Sequence, residues 1–575
     1  MYQRVFAFDF DGTLAENGLI APPLRAALAR LREANDVLFL VTGRRFDTRF
    51  VNALKGDFAG MVLENGAVLY LAASDEVYLP FGVTEPRLVQ ALTAAGVPLD
   101  QGRASVSTRA PYADPAWRVL SQLGRSAAVC YNKGALSILP AGASTGTGLQ
   151  RLLELAGYSP RNLVAFGDGE NNIALLQLAE VGVAVADAEP ALKDSADIVM
   201  AQPGPAGVLA ALDLYWPGQA AHPLALTRRR ERPIPLGEDD AGQPVSLSGA
   251  DLVSGNLGVF GDSGSGKSWV TGLLAEGMHR AGYQVLVIDA EGDFRGLRTL
   301  PGIVSFDGDA VTLPPPAMVI NVLEKMAASV VLDLCTYPPD QRSHYVAALI
   351  TGLRALRARR FRPHWIVLEE AQCFLPPFDT DVAAALTPLL VEGGWAFVSY
   401  RPDRLAASVL STLDQCLLTR LTEPDTVRTV RQWIDTRDEL PTDIPHGHAL
   451  WCGRQLVRLQ PGIRRVPHIR HLYKYLDSPL PPHKRFAFRD AQGYLNLEAA
   501  GLNEFLNCLA ILPLDCLLYH QARGDFAAWA DGALGDTVLA SRLSRLAGRR
   551  LTGEALRESL AQCVSSHYAE LLAQQ

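Results

Sequence analysis

The sequence predicts two α/β domains in tandem followed by a smaller helical one, on three observations. Residues 1 to about 215 alternate continuous apolar runs, VFAFDF (5–10), VLFLVTG (37–43), LVAFGDG (163–169) and GVAVA (182–186), with amphipathic stretches such as PPLRAALARLREA (22–34) and LQRLLELAG (149–157). Strands that are apolar on both faces belong in a parallel sheet covered by helices. Residues 238 to about 477 repeat the alternation with LGVF (257–260), VLVIDA (285–290), VVLDL (330–334), WIVLEEA (365–371) and AFVSY (396–400). From 478 onward LNEFLNCLAIL, DTVLASRLSRLAG and ALRESLAQCVSSHYAELLAQ carry helical periodicity without strand alternation. WPGQAAHPLALTRRRERPIPLG (216–237), with its prolines and basic run, reads as a linker and the entry to the second domain.

Composition sets the outer limits. A chain of 575 residues is too long for one core and suggests two to four domains. Hydrophobic residues at 48% and charged residues at 20% fit a soluble globular protein. No apolar run is long enough to cross a bilayer, so no membrane partner is expected. MYQRVFAFDFDG lacks signal-peptide architecture, and eight cysteines without a CxxC pair read as thiols in a reducing cytoplasm. A net charge of −8 argues against a chain that holds nucleic acid by overall charge. RRRER (228–232) reads as a solvated connector in preference to a nucleic-acid patch.

DFDGTL (9–14) follows the first buried strand directly. Asp9 and Asp11, one residue apart at the carboxyl end of a strand, turn the same way with Phe10 turned aside. One aspartate can attack phosphorus while the other protonates the leaving group and later activates water. Both need a magnesium ion, because two carboxylates repel a phosphate. A strand followed by an acidic turn is the plain alternative. Three further stretches argue against it: VTGRR with Thr42, ENGA (64–67), and GDGENN (167–172), which puts Asp168 at a strand tip.

These motifs resemble haloacid dehalogenase superfamily phosphatases of the Cof-like, IIB-type group over most of residues 1–205, including VAVADAEPALKDSADIVM. The resemblance implies a Rossmannoid domain (1–215) with a small α/β cap at about 82–140 that closes over a small phosphorylated metabolite. It implies Asp9 as nucleophile, Asp11 as general acid/base, Thr42 as phosphate ligand, and Mg2+ bound by Asp9, the Asp11 carbonyl and Asp168. Two positions depart from the pattern. Thr145 in GASTGTGL stands where the family has lysine, and Asn172 stands at the metal site where it has aspartate. Losing the cation costs about two to three orders of magnitude in rate; Lys133 or Arg44 are the candidates to replace it. A weak or narrowly specific phosphatase and a silent ligand-binding domain both remain open.

GDSGSGKS (261–268) satisfies GxxxxGK[ST], follows the strand LGVF and opens a helix. Backbone N–H groups along Gly261, Ser263, Gly264, Ser265 and Gly266 would curl around the phosphates of ATP, Lys267 would bridge them, and Ser268 would hold magnesium. WIVLEEAQ ends a buried strand in paired glutamates, with Glu369 on the magnesium side and Glu370 to polarise water. VLVIDAEGDF ends another strand with three acids, and FVSYRP occupies a sensor position.

GVFGDSGSGKS, VIDAEGDF, IVLEEAQ, SYRPDRL and LLTRLTEPD resemble HerA/FtsK-type ATPases, from PIPLG through RHLYKY. The resemblance implies an additional-strand, RecA-like P-loop domain (238–477) that hydrolyses ATP, commonly as a hexameric ring in which one subunit's arginine reaches its neighbour's γ-phosphate. Arg420 and, second, Arg401 are the candidates. Relatives often have Thr-Gln where this chain has Ser399-Tyr400. DNA is the partner such motors imply, and the acidic charge and lack of a DNA-reading motif stand against it. In the helical domain (478–575), His520 and Asp525 read as a hydrogen-bonded helix start in preference to a site. The leading function is a phosphatase fused to a ring-forming ATPase, with the ring moving DNA in one version and regulating or assembling the phosphatase in another; the alternative is a DNA motor whose non-catalytic first domain senses a phosphorylated metabolite.

Overall fold

The computed structural model describes residues 3–573 apart from 124–126, 133, 217–231, 307–312, 336, 434–443, 446, 454–455, 467–479, 481–484, 535 and 550. Lys133 and most of the expected linker, including Arg228 to Glu231, lie outside the described residues.

In the first domain eight strands form one sheet. Its parallel part runs, from one edge, Ile198–Val199, Val181–Ala184, Leu163–Gly167, Val5–Asp9, Val37–Val41 and Gly60–Leu63. Two antiparallel strands, Val68–Leu71 and Glu76–Tyr78, continue the far edge. Val5–Asp9 is buried along its whole length, which is why its sequence is apolar up to the aspartate. The chain leaves this central strand toward one side and later returns to the other. That reversal opens a crevice at the carboxyl ends of Val5–Asp9 and Leu163–Gly167. Over the same edge sits a separate antiparallel sheet of Asp100–Gln101, Val106–Arg109, Ala135–Pro140 and Ala127–Asn132, packed by the helices Pro86–Ala94 and Ala113–Leu123 around Leu88, Leu92, Leu136 and Ile138.

The second domain is built on an eleven-stranded sheet. Its parallel part runs Gln415–Leu418, Asn256–Phe260, Trp395–Ser399, Trp365–Leu368, Val285–Asp289, Ser329–Asp333, Ile303–Phe306. Trp395–Ser399 lies between the strand before the P-loop and the strand ending in Glu369, so this is the additional-strand arrangement. The antiparallel strands Ala449–Cys452, Leu456–Pro461, Pro233–Asp239 and Pro244–Ser248 extend the other edge. The sheet therefore takes up the chain at Pro233, inside the stretch expected as linker.

The third domain departs from a purely helical reading. A hairpin of Phe486–Asp490 and Gly493–Ala499 precedes the helices Leu502–Ile511, Leu514–Arg523, Asp525–Gly532, Thr537–Ala547 and Glu554–Ala573. Phe486 and Phe488 are buried in the aromatic core with Phe505, Phe526 and Trp529. The N-cap of Asp525–Gly532 is Gly524, and Asp525 instead accepts from His520 Nδ1 (2.8 Å). His520 Nε2 accepts from the Arg489 N–H (2.8 Å), so the imidazole is neutral and ties the hairpin to the helices.

The first two domains are joined through the end of the helix Pro339–Arg360. Arg360 and Arg362 donate to the carbonyls of Ala156 (2.9 Å) and Gly157 (3.2 Å), and Asn162 Nδ2 donates to the Phe361 carbonyl (3.0 Å). His364 accepts from the Gln284 N–H at Nδ1 (2.8 Å), which leaves Nε2–H to meet Asn162 Oδ1 (3.2 Å). Burial and three neighbouring arginines hold His364 well below the ordinary histidine range, in agreement with a neutral ring. Nearby, buried Glu180 receives Arg161 (2.8 Å), Arg232 (2.9 Å) and the Tyr283 hydroxyl (2.8 Å). A buried carboxylate is tolerated only with partners of this kind.

Candidate functional site

Asp9 is the last residue of the central strand and is 5% exposed, whereas Asp11 is exposed. Between them Phe10 turns into the core, and its ring carries the Arg44 guanidinium 4.8 Å from its centroid. Asp168, at the end of Leu163–Gly167, is buried beside Asp9 and takes the Thr13 hydroxyl (3.3 Å). Burial, reinforced by Asp168, pushes the Asp9 carboxyl well above the usual range. Two carboxylates forced together in a dry crevice make a charge deficit that a divalent cation fills. Among the described residues no three His, Cys, Asp or Glu side chains converge on one point. Asp9 and Asp168 are the carboxylates at this point that could hold a divalent cation.

Asn172, at the end of GDGENN, is fully buried. Its Oδ1 accepts from the N–H groups of Asp168 and Gly169 (3.1 Å each), and its Nδ2 donates to Asp9 Oδ1 (3.1 Å). With both oxygen lone pairs engaged, Asn172 holds Asp9 and offers no oxygen to a cation. Thr145 is buried, and its hydroxyl donates to the Asn171 carbonyl (2.5 Å). Arg44 forms a bidentate pair with Asp11 (Nε 2.7 Å, Nη2 2.6 Å), and Thr42 Oγ1 accepts from the Arg44 N–H (3.1 Å).

The sequence marks ENGA but gives no role to Glu64 within it. Glu64 is buried with φ 51°, and its carboxylate accepts from the N–H groups of Phe46 (3.2 Å), Arg103 (2.7 Å), Ala104 (3.0 Å) and Ser105 (3.0 Å) and from the Ser105 hydroxyl (2.8 Å). It fastens the cap to the core next to Asn65, whose Oδ1 accepts from Asn171 (3.2 Å) and whose Nδ2 donates to Ser137 of the cap (3.3 Å). A buried left-handed glutamate two residues before a glycine is the signal that betrays such a clamp only once the fold is known.

In the second domain, Gly264 and Gly266 have φ of 75° and 105°, the conformation that lets consecutive N–H groups face one point. Gly261 permits Thr419 to lie against the loop: a Cβ there would meet Thr419 Oγ1 at 1.8 Å. Ser263 is exposed, while Ser265 bonds Thr419 Oγ1 (2.6 Å). Lys267 opens the helix Lys267–Arg280 and donates to the Asp262 carbonyl (3.0 Å). Burial lowers its pKa against the pull of Glu370 and Glu369. Ser268 follows in the first turn. Glu369 is buried, and its Oε2 has no hydrogen-bond partner among the described residues. An orphaned buried carboxylate oxygen facing a P-loop lysine fits a magnesium ion and nucleotide. Glu370 has φ 51°, a strained conformation for a non-glycine residue.

Arg420 is exposed, and its carbonyl accepts from the Asp262 N–H of its own P-loop (2.8 Å). Arg401 is closed by a bidentate pair with Asp403 (2.9 and 2.7 Å). Of the three acids in VLVIDAEGDF, Asp289 is turned to its own loop, accepting from the N–H groups of Glu291, Gly292 and Phe294. Tyr400 covers Lys267, with the ammonium 5.9 Å from its ring centroid.

A Rossmannoid domain with paired aspartates at its switch point and an inserted cap, ahead of an additional-strand P-loop domain, defines a chain with two phosphate-handling folds. Two family models match it: haloacid dehalogenase-like hydrolase over residues 119–212, and Helicase HerA, central domain, over residues 234–351. Phosphoglycolate phosphatase 2 of Saccharolobus solfataricus is 29% identical over 217 residues, 36% of this chain and 90% of its own. The phosphoglycolate phosphatase of Natronomonas pharaonis is 30% identical over 222 residues, 36% of this chain and 95% of its own. A solved sugar phosphatase of subclass IIB is 19% identical, covering 36% of this chain and 98% of its own, with a TM-score of 0.32. Through its N-terminal third the chain belongs to the haloacid dehalogenase-like hydrolases, and a HerA central domain follows. Among the described residues no helix is long and apolar enough to cross a membrane.

Proposed function

We propose that the chain is a Mg2+-dependent phosphomonoester hydrolase fused to an ATP-hydrolysing, ring-forming domain. The observation that carries the first activity is the placement of Asp9: buried beside Asp168 and held by Asn172 Nδ2 at 3.1 Å. Asp9 attacks phosphorus, the ester P–O bond breaks, and Asp11 gives its proton to the departing oxygen. Asp11 then takes a proton from the water that attacks the aspartyl phosphate, releasing phosphate and restoring Asp9. Asp9, Asp168 and the Asp11 carbonyl would hold magnesium, which would supply the charge that lets a dianion approach. Because Arg44 grips Asp11 in this structure, Asp11 gains its working freedom when the guanidinium moves to the incoming phosphate. The curated relatives make phosphoglycolate and other small phosphorylated acids the first substrates to test. A panel of phosphomonoesters with magnesium, run on wild type and Asp9→Asn, decides it: equal rates end the proposal.

For the second activity, Lys267 and the P-loop amides hold the phosphates, Ser268 and Glu369 hold magnesium, and Glu370 polarises water. Arg420, with its side chain in solvent, is the arginine we assign to a neighbouring subunit's nucleotide; Arg401 is committed to Asp403. A reducing, ATP-containing compartment such as the cytoplasm is the location we propose, and eight free cysteines support it. ATP hydrolysis with and without double-stranded DNA at low salt tests the motor version.

One observation favours a second reading of the first domain. Thr145 supplies a hydroxyl, already used on Asn171, where the family has a cation. A domain without that charge binds a phosphorylated metabolite and releases it unchanged. Calorimetric binding of phosphoglycolate without phosphate release establishes this sensor.

A further inference from the structure

Glu370 is the first member of a chain of buried polar groups. Gln372 Nε2 donates to Glu370 Oε2, and the Ser399 hydroxyl donates to Gln372 Oε1 (2.5 Å). Ser399 Oγ in turn accepts from the Arg401 N–H (3.0 Å). The Arg401 guanidinium is clamped on Asp403, and Asp403 Oδ1 takes the Thr426 hydroxyl (2.9 Å). Ser399 and Thr426 are fully buried and Gln372 is 8% exposed.

Thr426 belongs to a short segment that also grips the P-loop. Thr419 Oγ1 bonds Ser265 (2.6 Å), the Arg420 carbonyl accepts from the Asp262 N–H (2.8 Å), and Thr422 Oγ1 donates to Asp262 Oδ2 (2.7 Å). Residues 419–426 therefore touch both arms of the nucleotide site, the phosphate cradle directly and the glutamate through Gln372. From Pro424 the chain continues as the helix Pro424–Trp433, whose Asp425, Arg428, Arg431 and Gln432 are exposed.

We propose that Gln372 and Ser399 are positioning residues for ATP hydrolysis, holding the Glu370 carboxylate in the orientation that polarises water, and that residues 419–426 set this hold together with the shape of the P-loop. The proposal rests on the ATPase reading above. Glu370 occupies a left-handed backbone position just after a strand end, and its Oε2 accepts from Gln372 Nε2. The amide of Gln372 is a donor fixed from behind by Ser399, so it admits one carboxylate orientation. A carboxylate that must aim a water loses rate steeply when it swings. Gln372 serving only to satisfy buried polar groups would instead affect stability and leave turnover alone.

The test uses the full chain and four proteins: wild type, Gln372→Met, Ser399→Ala and the double variant. ATP turnover, affinity for a fluorescent ATP analogue and thermal midpoint are measured for each. Gln372→Met keeps side-chain length and removes the amide. It is expected to lower kcat about 10- to 100-fold, with nucleotide affinity within about twofold of wild type. Ser399→Ala is expected to lower kcat in the same direction, and the double variant to be no slower than Gln372→Met, because both changes cut one chain. Losses that multiply, or an affinity that falls in step with kcat, overturn the proposal. So does a kcat for Gln372→Met within about twofold of wild type, and that result leaves the ATPase reading standing. A wild-type chain that binds the analogue and never turns over ATP removes the ATPase reading, and the relay falls with it.

Discussion

Replacing Asn172 by aspartate puts a third carboxylate into the crevice. The new oxygen would stand where Nδ2 now donates to Asp9 Oδ1 at 3.1 Å, in a position with no exposure to solvent. Two unit charges about 4 Å apart at an effective dielectric of 20 repel by about 4 kcal/mol. The two N–H donors of Asp168 and Gly169 become charge-assisted and offset about 1–2 kcal/mol of this. The metal-free first domain should therefore lose about 2–3 kcal/mol, a fall of roughly 5–10 °C in its melting midpoint. Carboxyls whose folded pKa is raised stabilise at low pH and lose that contribution as pH rises, so the deficit should grow from acid to neutral pH. Magnesium should reverse it, giving the variant a larger thermal response to the ion than wild type. Differential scanning calorimetry with chelator and with millimolar magnesium reads both effects. A metal-free midpoint within a degree of wild type at neutral pH would refute the contact between Asn172 and a buried Asp9.

Thr145→Lys should raise phosphatase turnover by about 10- to 100-fold by returning a cation to the phosphate site, measured as phosphate release; unchanged turnover would show that Arg44 already fills the role. Lys267→Ala should abolish ATP binding in equilibrium titration while leaving phosphomonoester hydrolysis untouched. Glu180→Ala leaves Arg161 and Arg232 without their buried partner and should cost about 3–5 kcal/mol in denaturant unfolding. The Arg359 and Arg360 guanidinium groups hold the Glu324 carboxyl at about 2 instead of 4.5. Its contribution is complete above about pH 4.5 and lost as pH falls toward 2, so Glu324→Gln should flatten acid unfolding by about 2–3 kcal/mol across that window.

What could be read without coordinates was whatever lies close along the chain. DFDGTL and GDSGSGKS are contiguous, and their flanking strands announce themselves by unbroken apolar runs. Thr145 and Asn172 could be marked as departures, but the partner of each was invisible, because Asn171, Asp9 and Thr145 meet only through the fold. LRALRARRFRP, the arginine-rich end of Pro339–Arg360, carries no local sign of its role: Arg357 turns inward to the Gly393 carbonyl, and Arg360 and Arg362 reach carbonyls of the first domain. The hairpin at 486–499 was legible in the alternation of Phe486 and Phe488 before a glycine turn, and was hidden by the longer helical text around it. Nothing local links Gln372 to Ser399, since that contact depends on two strands becoming neighbours across 27 positions.

The meeting of Asn162 with His364 fixes what can travel between the two chemistries. Each residue stands at the entry of a strand whose far end carries acids, Asp168 on one and Glu369 on the other. The sheets thus touch heel to heel, and each strand adds roughly 15 Å before its working rim is reached. Under the proposed function, orthophosphate released at one rim would be separated from the other by the length of both strands. Any coupling between the halves would have to run through backbone and buried side chains, and two ligands in their own mouths would not compete for space.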